Sequence, residues 1–154
     1  MGRLTLIPRR PTGRVVGAGQ LISNTYPLIG FGPELNPDPF FGNPGLWTFG
    51  VGWSIDQNTA KVDGLQVGTS HLEIGSLLEP ETLYRMEVSF PAISAGLLRQ
   101  AAGGDGVGEW QSAPILNLVE FLNTGSGVTA LRVTGDLNAI GDCTFLSCRK
   151  VLNP

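Results

Sequence analysis

Between Thr82 and Phe90, Tyr84, Met86, Val88 and Phe90 alternate with Leu83, Arg85, Glu87 and Ser89. A period of two, apolar on one side only, predicts a half-buried antiparallel strand. Shorter runs read the same way: Trp47–Phe49, Gly52–Ile55, Thr59–Val62, Leu65–Val67, Ser70–Ile74, Pro114–Leu122, Val128–Thr134 and Cys143–Leu152. Turn residues separate them at Asp56-Gln57-Asn58, Glu79-Pro80-Glu81, Thr124–Gly127 and Gly135-Asp136. Asp63-Gly64 predicts a two-residue hairpin between Thr59–Val62 and Leu65–Val67. Residues 91–101 fit either a helical turn or a strand, and Gly103–Gly108 reads as a flexible loop. No long amphipathic helix is predicted. Seven to nine strands at this spacing predict an all-β fold, an antiparallel β-sandwich of jelly-roll type.

Residues 1–45 follow no such pattern. Seven of the eleven prolines lie there, and proline at that density disfavours helix and central strand alike. A short strand at Arg14–Ile22 is compatible with the text. The predicted division is an extended N-terminal arm, 1–33, and a β-sandwich domain, 34–154.

Charge supports the division. Residues 1–33 carry Arg3, Arg9, Arg10 and Arg14 and no acid; residues 34–154 carry six basic residues and all thirteen acids, a net −7. A basic arm before an acidic body suits docking on an acidic protein surface. Arg3, Leu4, Leu6, Ile7, Arg9, Arg10, Arg14, Val15 and Val16 are its candidate contacts. Nucleic acid is a poorer partner, because the charges are few and the body repels phosphate. The opening residues hold no apolar core of signal-peptide length, Leu6 breaks the myristoylation pattern, and no run approaches the ~18 apolar residues of a membrane helix. A soluble protein made in a cytoplasm, without membrane contact, is expected.

The chemistry-bearing residues are sparse. Cys143 and Cys148 would stand roughly 16 Å apart along one strand, too far for a disulfide. They read as buried thiols. His71 is the only histidine; in a strand its neighbours Ser70 and Leu72 point away from it, so no Ser-His-acid arrangement is predicted. Glu79 and Glu81 flank Pro80 on a turn, and no glycine cluster completes a nucleotide-binding motif. No catalytic residue, metal or cofactor is expected.

One resemblance adds to this reading. Asn36-Pro37-Asp38 near Phe40-Phe41-Gly42, then Leu46-Trp47-Thr48, Gly52-Trp53-Ser54, and Leu78-Glu79-Pro80-Glu81-Thr82-Leu83-Tyr84-Arg85 run in order toward a closing strand, Ser147–Val151. The order resembles the galactose-binding-like, carbohydrate-binding-like jelly roll of bacteriophage virion proteins. Two positions depart from that pattern. Glu81 stands where a turn glycine is usual, and Thr144-Phe145 where Asp-Asn is usual, which argues against a calcium or ligand site there. The resemblance implies a structural protein of the virion, a capsid decoration or cement protein bound to the major capsid protein or another virion protein. It would be displayed on the outer capsid surface or tail and clustered as a homotrimer or similar oligomer. A small tail, baseplate or fibre component is the alternative. A carbohydrate-binding module for host attachment is the other, with a glycan partner and Trp47, Trp53 and Trp110 as candidate sugar or interface aromatics.

Overall fold

The computed structural model describes residues 29–152. The candidate arm contacts from Arg3 to Val16, and the strand considered at Arg14–Ile22, lie outside the described residues.

The described chain is all-β. Its strands are β1 (Gly30–Glu34), β2 (Thr48–Phe49), β3 (Trp53–Asp56), β4 (Thr59–Asp63), β5 (Ser70–Ile74), β6 (Leu83–Phe90) and β7 (Ala92–Ala95). They continue with β8 (Leu98–Ala102), β9 (Gly106–Val107), β10 (Ile115–Asn123), β11 (Leu131–Gly135), β12 (Ile140–Cys143) and β13 (Phe145–Leu152). Three antiparallel ladders result, in the orders β1-β13-β6-β10, β3-β4-β12-β7 and β2-β5-β11-β8-β9.

The first two ladders are halves of one bent sheet. β6 runs into β7 through Pro91, and β12 into β13 through Thr144. The register survives the break: Phe145 faces Ser89, and three residues away Asp142 faces Ala92. Pro91 has no N–H to give the ladder, so pairing lapses there without slipping. The five-stranded sheet lies across this bent sheet as the second layer of a sandwich.

The core fills the space between. Tyr84, Met86, Val88 and Phe90 are all buried, as the alternation predicts, with Leu146, Cys148 and Cys143 beside them. Leu72, Leu98, Leu131 and Val133 come from the five-stranded sheet. Each such side chain contributes on the order of 1.5–3 kcal/mol of hydrophobic stabilisation.

Three expectations change, and the open reading of residues 91–101 resolves to strand. Leu65–Val67 is a loop, with Val67 91% exposed. Asp63 Oδ1 accepts the Leu65 N–H at 3.0 Å, which turns the chain away from its hairpin partner. The tight hairpin lies instead at Gln57-Asn58, both left-handed (φ 48° and 57°), between Asp56 and Thr59. Residues 91–101 form two strands, β7 and β8. The glycine run 103–108 contains β9, so part of it is paired rather than loose. The final strand starts earlier, at Ile140, with the break at Thr144. At Glu81, where the resemblance expects glycine, φ is +50°; the backbone keeps the glycine-type conformation with a different residue.

The segment entering the sandwich is held by one carboxamide and two carboxylates. Asn36 Nδ2 donates to the Leu146 carbonyl at 2.7 Å, and Glu34 accepts the Cys148 N–H at 2.8 Å. Asp38, buried, accepts from the N–H groups of Gly42 (2.7 Å) and Asn43 (3.0 Å) and from Trp47 Nε1 (2.9 Å). Removing that carboxylate strands three donors. Asp38→Ala is therefore expected to cost about 3 kcal/mol of unfolding free energy. Urea denaturation checks this, and a loss below about 1 kcal/mol would show that the three bonds do not organise the segment.

Candidate functional site

The outer face of the five-stranded sheet is polar where its inner face is apolar. Thr134 of β11 faces His71 of β5 on one side and Arg99 of β8 on the other. Arg132 likewise faces Glu73 and Ala101, and Glu73 faces Thr48 of β2. Directly opposed residues share a face. Two rows result, His71–Thr134–Arg99 and Thr48–Glu73–Arg132–Ala101. Thr134 is buried beneath its two large neighbours.

Trp110 extends the first row. Leu98 and Gln111 exchange backbone hydrogen bonds of 3.0 and 2.7 Å, so the chain stays alongside β8 past β9 and brings Trp110 next to Arg99. The Arg99 guanidinium carbon stands 4.1 Å from the Trp110 ring centroid, a cation–π stack. The segment is pinned from below. Gly108 N–H donates to the Gln100 carbonyl at 3.0 Å, and Glu109 N–H to Glu120 Oε1 at 2.8 Å. Glu120 Oε2 accepts from Gln100 Nε2 at 2.8 Å. A Cβ on Gly108 would run into the Glu120 carboxylate, so a larger residue would have to displace the group that pins the segment.

At the opposite end of the face lies a cavity of about 370 Å³, lined by Phe49, Val51, Val67, Thr48, Thr69, His71 and Glu73. Its wall is fixed through backbone and amide bonds. Ser70 Oγ donates to the Val51 carbonyl at 2.8 Å, and Gly50 N–H to the His71 carbonyl at 2.7 Å. Buried Gln66 donates to the carbonyls of Asp136 and Ala139, both at 3.0 Å, and so anchors the loop carrying Val67.

Arg132 Nε meets Glu73 Oε2 at 2.5 Å. His71 Nδ1 lies 3.0 Å from Thr134 Oγ1. Burial pushes the imidazole below the ordinary histidine value of 6.5; the Arg132 and Arg99 charges lower it further, while Glu73 opposes. At neutral pH the ring is uncharged and offers one donor and one acceptor.

The sequence-predicted aromatics separate cleanly. Trp47 is buried with its indole N–H on Asp38, and Trp53 is buried in the core; neither reaches this face. Trp110 is partly exposed and stands on it. Ser70 and His71 point to opposite sides of β5, and the Ser70 hydroxyl is committed to a backbone carbonyl. Cys143 and Cys148 are free and buried. Burial pushes both thiols up, Cys148 to about 12. Among the described residues no group of three or more His, Cys, Asp and Glu is placed to hold a metal ion.

A solved chain titled "Mannan Binding Module from Man5C" is similar in structure, with a TM-score of 0.47 and 10% identity, over 75% of this chain and 98% of that one. No family model matches the sequence. No curated protein matches it either.

Sequence reasoning named Trp110 among three tryptophans but passed over Glu73, Arg99, Arg132 and Thr134. The alternation of Leu131 and Val133 with Arg132 and Thr134 carried part of the signal. Arg99 was hidden because residues 91–101 did not declare a strand.

His71 gives the face a pH signature. Its folded-state pKa is lowered, so the folded protein binds fewer protons than the unfolded chain just below pH 6.5. Its stabilising contribution is present above the unfolded value and is lost as pH falls through the folded one. Against His71→Gln, the unmodified protein should lose additional stability on acidification from pH 8 to pH 5.5. Parallel thermal melts check this; identical slopes in the two proteins would refute it.

Proposed function

We propose that the chain is a non-catalytic binding module and that the outer face of the five-stranded sheet is its saccharide-binding surface. The supporting observation is the composition of that face. A partly exposed Trp110 stands at one end, a cavity edged by Thr48, His71 and Glu73 at the other, and His71 and Arg99, seated on the buried Thr134, between them. A sugar ring has an apolar C–H face and a rim of hydroxyls. It suits an aromatic surface flanked by fixed donors and acceptors. From His71 to Arg99 the row crosses two strand spacings, about 10 Å. The cavity and Trp110 lengthen it at either end, which suits an oligosaccharide better than a single ring.

Trp110→Ala should weaken saccharide binding about tenfold or more and leave the fold intact, because the ring lies outside the core. Isothermal titration against soluble plant, fungal and bacterial polysaccharides, with Trp53→Phe as a core control, is the direct test. Binding unaffected by Trp110→Ala, or no binding to any of the polysaccharides at millimolar saccharide, would reject the reading.

A second reading, a virion surface protein that docks on a shell or on copies of itself, draws on a different place. β10 pairs with β6 on one side only among the described residues. It exposes Leu116, Val119 and Phe121, with Phe31 6.2 Å from the Phe121 ring. An open edge strand with apolar side chains invites association. On this reading Phe121→Asp abolishes both self-association, measured by light scattering, and co-sedimentation with capsid shells. A monomeric unmodified protein that fails to pellet with shells would count against it.

A further inference from the structure

The distribution of ion pairs narrows the ligand. The described residues contain six Lys and Arg side chains, and five are paired: Lys61 with Asp56, Arg85 with Glu87, Arg132 with Glu73, Arg149 with Glu34 and Lys150 with Glu79. Arg99 is the sixth. All thirteen Asp and Glu side chains of the sequence lie within the described residues, and among them none pairs with Arg99. Its Nε is buried without a hydrogen-bond partner. Burial alone shifts its pKa, downward, and no carboxylate opposes that shift.

This cation is nonetheless held in place. Its guanidinium carbon lies over the Trp110 ring, and Trp110 is fixed by the backbone pairing of Gln111 with Leu98 and by Glu120 beneath. Contact with the ring leaves the terminal guanidinium N–H groups without a carboxylate partner, and a guanidinium in that state recognises an oxyanion through two parallel bonds. A partly desolvated, rigid and unpaired guanidinium is costly to maintain in the free protein. An anion in the ligand would offset that cost.

We propose that the saccharide taken by this face is acidic, and that Arg99 receives its oxyanion at the Trp110 end of the row. The inference rests on the reading of the face as a saccharide site. The shared chemistry is an oxyanion on a sugar, either a uronate carboxylate or a sulfate ester. Residues 34–154 carry a net −7, so the body as a whole repels such a ligand. Affinity for it would have to come from a local site rather than from general charge attraction.

The test titrates the full chain with an oligogalacturonate, its fully methyl-esterified form, a sulfated glucan and a neutral mannan. At low salt, one of the two acidic probes should bind at least about tenfold tighter than the neutral ones, the factor expected of a charge-assisted pair. Which probe wins identifies carboxylate or sulfate. Arg99→Gln should erase the preference while retaining weak neutral binding, and Arg99→Lys should restore part of it. Arg85→Gln changes net charge equally, away from this face, and should leave the preference intact. Two outcomes would overturn the proposal: equal affinity for the acid and its methyl ester, or an acid preference that persists in Arg99→Gln. In either case binding sensitive to Trp110→Ala would leave the saccharide reading standing. Failure of every probe, acidic and neutral alike, would remove both.

Discussion

The molecule depends on one long ladder whose register survives a proline. β6 and β7 on one side, and β12 and β13 on the other, keep the same pairing through Pro91 and Thr144. The two four-stranded ladders are joined by this double strand, and the bend in it sets how the joined sheet curves around the core. Phe90, Cys143 and Leu146 are buried at or beside the bend. Gly141 belongs to the same region: a Cβ there would meet the Ala92 carbonyl at 2.5 Å and Leu98 of the opposite sheet at 3.0 Å. A slip of one residue would turn Tyr84, Met86 and Val88 outward, so burial of these side chains enforces the register that the proline interrupts.

The polar face follows from the same architecture at one remove. β11 is the middle strand of the second sheet, with Leu131 and Val133 in the core. Arg132 and Thr134 must then point outward, and β5 and β8 must present Glu73, His71 and Arg99 beside them. The face is rigid because its ends are tied to the framework. Gln66 fastens the cavity loop to the carbonyls of Asp136 and Ala139, and Glu120 of the other sheet fastens the Trp110 segment across the sandwich edge. Glu120, half-buried, and Gln66, buried, are thus positioning residues, each committing its polar atoms to hold a surface element.

Polar groups also close the lead-in to the sandwich. Glu34, Asn36 and Asp38 satisfy backbone donors and acceptors that the irregular stretch before β2 would otherwise leave unpaired. The Asn-Pro-Asp run quoted for its resemblance to a jelly-roll module has a plain physical role here: Asn36 ties that stretch to β13, and Asp38 ties it to Gly42, Asn43 and Trp47. Much of the acidity of the body is spent in this way, or on the five ion pairs, which leaves Arg99 as the exception among the described residues.

The all-β class, the half-buried strand at Thr82–Phe90 and the burial of both cysteines were determined locally, by alternation and by spacing along a strand. A period of two survives in any context that buries one face. The three tryptophans were legible only as a set of candidates; burial of Trp47 and Trp53, and the partial exposure of Trp110, were decided by packing. Other features were settled only by contacts between distant segments. Asp63-Gly64 carries a hairpin signal, yet the Asp63 side chain and the Gln66 anchor to residues 136 and 139 direct the chain elsewhere. Residues 91–101 have no clear period, and they become two strands because β11 and β12 offer their open edges. The face that gathers His71, Glu73, Arg99, Trp110, Arg132 and Thr134 draws on segments up to 63 residues apart. Its membership is a matter of register, and register is set by core packing on the opposite side of the sheet, which a single chain read in order does not display.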